Sequence, residues 1–129
     1  MKEIKVIEPI YLKDFDVEVN PYLTYAQIQN IVNAVCQFDS WADREQNIDI
    51  LLLYHATNLS KEDIEEYGHE ALLQSGIIDE VRANVKNFGQ IREAIAYTQS
   101  VEKSLAAISK QLPKIVEDVK KNGLKPSKK

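Results

Sequence analysis

Glu66 and His69 stand three residues apart, the E-x-x-H spacing that sets a carboxylate and an imidazole about one helical turn from each other. Di-iron bundles use that pair twice, on continuous helices. Here it occurs once, and Gly68 interrupts it. The acidic run EDIEEY at 62–67 attracts cations, but it lacks the alternating oxygen ligands and the glycine of a calcium loop, so it reads as a solvated helix face. Cys36, the single cysteine, has neither His55 nor His69 near it in sequence and falls on an apolar stripe, which makes it a small core residue rather than a nucleophile. His55 follows LLLY and reads as a hydrogen-bonded histidine in the core or at its boundary. No P-loop, G-x-G-x-x-G or nucleophile elbow occurs, and four glycines leave little material for a phosphate cradle. The expectation is a chain that is not an enzyme, with no catalytic residues, no metal ligands and no cofactor.

The bulk properties agree with that expectation. A chain of 129 residues, 44% hydrophobic and 28% charged, is about one ordinary globular domain, able to bury a core without metal or disulfide staples. The lone cysteine and the lack of a long apolar run in MKEIKVIEPI fit a reducing cytoplasm and no secretion signal. The greasiest stretch, IDILLLYHA at 48–56, is too short to span a membrane and carries Asp49. The net charge of −4 hides an asymmetry: residues 120–129, KKNGLKPSKK, hold five lysines and no acid, which leaves 11 basic against 20 acidic side chains in 1–119. An acidic body repels nucleic acid, so phosphate contact is expected at most from Lys120, Lys121, Lys125, Lys128 and Lys129, a tail whose plainest role is to keep a frayed end soluble.

These side chains must be carried by elements, and the first twenty residues read as extended. Ile4 and Val6 alternate with charged neighbours, and Phe15, Val17 and Val19 alternate with Asp14, Asp16, Glu18 and Asn20. The two runs are expected to pair as a hairpin or meander, with Pro9 at an edge or bend. Asn20-Pro21 ends the second run, and T-Y-A-Q from Thr24 to Gln27 is a capping box, with Leu23 and Ile28 spaced as a hydrophobic staple. Ile28, Ile31, Val32, Val35 and Phe38 then recur at three and four, an amphipathic helix. Ser40 caps a second, mostly buried helix carrying Trp41, Ile48, Leu51, Leu52 and His55. Ser60 with Asp63 opens a short third, closed by Gly68, and HEALLQSG at 69–76 adds another turn or two ending at Gly76.

From Ile77 onward the pattern predicts one long helix, or two joined near Gly89. Beyond Thr98 the spacing becomes strictly three and four: Thr98, Val101, Leu105, Ile108, Leu112, Ile115 and Val119 form a heptad seam that needs a partner helix. Pro113 inside it removes a hydrogen bond and predicts a kink or a restart. The fold expected is α+β: an N-terminal β-hairpin (1–20), short helices (21–76) and a long or bent helix (77–119) in one domain, followed by a flexible lysine-rich tail (120–129).

VNPYLTYAQIQNIVNAV, DILLLYHAT and QSGIIDEV, within 17–100, resemble small proteins encoded in the structural gene modules of tailed phages of Gram-positive bacteria. That resemblance implies a virion or assembly part, such as a head-tail connector, neck component or tail-assembly factor, found in the virion or the host cytoplasm, with no catalytic residues to carry over. Many connectors open directly with a helix, and a strand pair here departs from them. Taken with the seam, the expected role is a structural or assembly subunit that binds itself or another virion component through Val101, Leu105, Ile108, Leu112 and Ile115. The alternative is a small acidic inhibitor of a host protein. A helix-turn-helix regulator built on 41–56 and 61–67 is disfavoured, because SKEDIEEYG has the wrong sign for a groove.

Overall fold

The computed structural model describes residues 2–118, with side chains to Leu112. A two-stranded antiparallel hairpin, β1 (Ile10–Leu12) and β2 (Val17–Val19), precedes five helices: α1 (Tyr25–Val35), α2 (Trp41–Ala56), α3 (Lys61–Ser75), α4 (Ile77–Asn84) and α5 (Gly89–Asp118). The fold is α+β and mostly helical. The chain divides into two compact units, one ending at Ile95 and the other beginning at Ala96.

The hairpin is shorter than the alternation at its start predicts. Its register pairs Ile10 with Val19, Tyr11 with Glu18 and Leu12 with Val17. Continuing that register would set residues 2–8 against 21–27, but Pro21 and the start of α1 occupy those positions, so residues 2–9 have no strand to pair with. Val6 is accordingly 86% exposed, and Pro9 falls just outside β1. The turn closes with Asp16 at φ 51°, and the Tyr11 hydroxyl donates to Asp16 Oδ1 at 2.6 Å. The Tyr11 phenol, beside that carboxylate, is held above its ordinary value.

Beyond α2, the chain runs alongside β2 as a third extended segment. Val19 bridges Thr57, and the backbone of Asn58 donates to the Glu18 carbonyl at 3.2 Å while its side-chain Oδ1 accepts from the Glu18 amide at 3.0 Å. One asparagine thus satisfies both polar groups of a strand residue, which lets a sheet of minimal length bury Val17 and Val19 completely on its inner face.

Corner chemistry at 20–28 follows the expected grammar. The Thr24 Oγ1 accepts from the Gln27 amide at 3.1 Å, and Gln27 Oε1 accepts from the Thr24 amide at 2.9 Å, a complete capping box with Leu23 and Ile28 both buried beside it. Asn87, sixty-four positions on, grips the backbone of Leu23 from both sides: its Oδ1 accepts at 3.0 Å and its Nδ2 donates at 2.9 Å. The Lys86 amide donates to the Pro21 carbonyl at 2.7 Å. The junction is a corner stitched to the α4–α5 connection.

The apolar core lies among α1, α2, α3 and α4, with α2 packed against the other three. Ile31, Val32, Val35, Ile48, Leu52, Leu53, Ile78, Val81 and Ile91 are essentially inaccessible. Trp41 does not join them: burial along α2 begins at Arg44 and Glu45, so the indole at the first helical position, 76% exposed, lies beyond the covered stretch. Gly68 bends α3 at φ 78° and ψ 160°, where a straight helix is impossible, and Gly76 at φ 89° separates α3 from α4. Of the two arrangements expected from Ile77 onward, the second is present, two helices joined near Gly89. Val85, extended at its backbone and buried, ends α4, and α5 starts at Gly89.

Candidate functional site

Five polar residues predicted neither as a site nor as a cluster meet where α2, α3, α4 and the first turns of α5 converge. Glu45 and Asp49 are one turn apart on the inner face of α2. Asp49 is 4% exposed, the one charged side chain in the described core. Its Oδ2 lies 2.8 Å from His69 Nε2 on α3, and its Oδ1 accepts from the Arg82 guanidinium on α4. Glu45 takes both nitrogens of the Arg92 fork, at 2.7 and 2.9 Å, and lies 3.7 Å from Arg82. Both guanidinium groups also approach the Phe88 ring, with Arg82 and Arg92 at 5.1 and 5.7 Å from its centre, inside the range of cation–π attraction.

The electrostatics are those of a clamp. The Arg92 hydrogen bonds hold the Glu45 carboxyl below its ordinary range, outweighing the opposing effect of burial, and the same bonds raise the Arg92 guanidinium. Glu45 and Asp49 are each paired with basic side chains from other helices, so the cluster holds four elements in one register. Removing one partner from such a set leaves a buried charge alone, which is the costly event.

The residues singled out for chemistry are dispersed. Glu66 is exposed on α3 before the kink, while His69, after it, is committed to Asp49. Among the described residues no group of three or more His, Cys, Asp and Glu is placed to hold a metal ion. Cys36 is the C-cap of α1, half-buried against the core, and His55 lies at the core boundary, edge-on to Tyr54 at 5.5 Å, with burial lowering its imidazole. An open groove of about 410 Å³ between the hairpin turn and α3 is lined by Phe15, Leu59, Tyr67 and Leu72, with Asp14 and Asp63 also on its wall.

In the second unit the heptad residues form the other feature. The α5 backbone stays helical through Pro113. Every described side chain from Ser100 to Leu112 is exposed. Val101, Leu105, Ile108 and Leu112 are 38%, 58%, 54% and 49% exposed, a set of large apolar side chains repeating at three and four on one helix. The Ile115 side chain lies outside the described residues, as do Val119 and the lysines at 120, 121, 125, 128 and 129. No described helix is long and apolar enough to cross a membrane.

No family model, no curated protein and no solved structure matches this chain. The functional reading therefore rests on the geometry of the two features above.

Proposed function

We propose that the chain is a non-enzymatic assembly subunit, a phage virion or morphogenesis protein acting in the virion or the host cytoplasm. It binds protein through the α5 face of Val101, Leu105, Ile108, Leu112 and, by sequence, Ile115, with copies of itself or another virion component as the partner. The uncovered heptad supports the protein-binding part of this reading, and the virion assignment rests on the resemblance within 17–100 to phage structural-module proteins. An apolar stripe one side chain wide at a 3.5-residue period matches the groove of another helix, and exposed apolar surface in contiguous array marks an interaction site. The Asp49 cluster fits the same reading as a scaffold, because four clamped elements give the first unit a fixed form.

Leu105→Asp with Ile108→Asp tests the reading. Aspartates on the stripe should reduce the associated mass to that of one chain and leave the urea midpoint of the first unit unchanged. An unaltered mass with an unaltered midpoint would show that the stripe is neither interface nor core.

A further inference from the structure

The number of copies is written in the order of residues along the seam, and this step rests on the reading of the α5 face as an interface. In the heptad frame Thr98, Leu105 and Leu112 occupy position a, while Val101, Ile108 and Ile115 occupy position d. The two positions meet a facing helix differently. In a parallel pair, a side chain at a lies alongside the hole it enters, which suits branching at Cβ, whereas one at d points straight into its hole, where Cβ branching crowds the neighbours and leucine fits. With four helices the two geometries exchange, so leucine suits a and isoleucine or valine suits d. This chain has leucine at both central a positions and a β-branched residue at every d. That order disfavours the two-stranded form.

The flanking positions agree. A helix in a four-membered bundle touches two neighbours, so its e and g side chains are partly covered, and charges there would lose water. Glu102, Ser104, Ser109 and Gln111 occupy these positions between Val101 and Leu112, and all four are exposed in the single chain. Three of the four are neutral, so identical copies approach without rows of like charge, and no complementary pattern selects a different chain. Ala106 and Ala107, beyond them at b and c, are small enough for close approach.

We infer that the seam joins four copies of this chain in a parallel helical bundle. Sedimentation equilibrium of the full chain at micromolar concentration should give four times the 14.7 kDa of one chain. Exchanging the layers, with Val101→Leu, Leu105→Ile, Ile108→Leu and Leu112→Ile in one variant, should lower that to two copies. In a Cys36→Ala background, Thr98→Cys should cross-link to its own counterpart through a short bismaleimide, as parallel copies require and antiparallel ones, which set position 98 against the far end of the seam, do not allow. A dimer or a trimer from the unmodified chain overturns the four-copy inference and leaves the interface reading standing. Four copies that persist in the exchanged variant overturn the layer argument, and cross-linking absent at 98 overturns the parallel arrangement. A monomer overturns the inference, and one whose stability and partners are indifferent to Leu105→Asp with Ile108→Asp overturns the interface as well.

Discussion

Asp49 is the residue on which the first unit depends most, because it is buried and engages two basic side chains from different helices. Asp49→Ala leaves His69 without this partner and Arg82 with Glu45 alone at 3.7 Å, and we expect a loss of about 3 kcal/mol, read as the shift of the urea unfolding midpoint at constant slope. Glu45 sets the acid limit. Its folded pKa lies below the ordinary carboxylate value of 4.5, so its stabilisation is complete above that value and disappears as pH falls through the lower, folded one. Wild type should therefore lose stability on the acid side more steeply than Glu45→Gln, a difference visible in urea midpoints taken as a pH series. His55 acts with the same sign in a higher window. Burial depresses its imidazole, so the unfolded chain gains the proton first, and stability declines as pH drops below the usual 6.5 toward the folded value. His55→Gln should flatten that part of the profile.

At the scale of elements, the bends are set by backbone conformation. Gly68 and Gly76 have positive φ of 78° and 89°, and a Cβ at either would meet nothing within 4 Å. Alanine is then opposed by backbone strain alone, about 1–2 kcal/mol at Gly76 in the left-handed region and about 1–3 kcal/mol at Gly68, whose ψ of 160° lies in a region essentially reserved for glycine, both read in chemical denaturation. Thr24→Ala should cost about 1 kcal/mol by the same assay, since it opens the capping box of α1. Local grammar of this kind was readable from sequence: the caps at Thr24, Ser40 and Ser60, the break at Gly68 and the stripes at 28–35 follow from side chains acting on neighbours within one turn. Alternation could not reveal that residues 2–9 lack a partner, because pairing depends on where α1 begins. Nor could it reveal Asn58 and Asn87 as backbone clamps. The Asp49 cluster was invisible for a related reason. Asp49 interrupts a greasy run, and its partners lie 20 and 33 residues away on other helices, so only the packed arrangement of four elements gives it meaning.

For the whole molecule, the contrast is between a first unit with its own buried core and a helix face in the second with none. A helix whose side chains are exposed on all sides depends on propensity alone, which is marginal in water, whereas association supplies the missing burial. The central claim is that this burial comes from other chains. Light scattering of the unmodified chain across a dilution series is the decisive measurement. The mass should be a multiple of 14.7 kDa at the concentrated end and fall on dilution, with helical circular dichroism falling in step. A mass of 14.7 kDa at every concentration, with undiminished helicity, would contradict it.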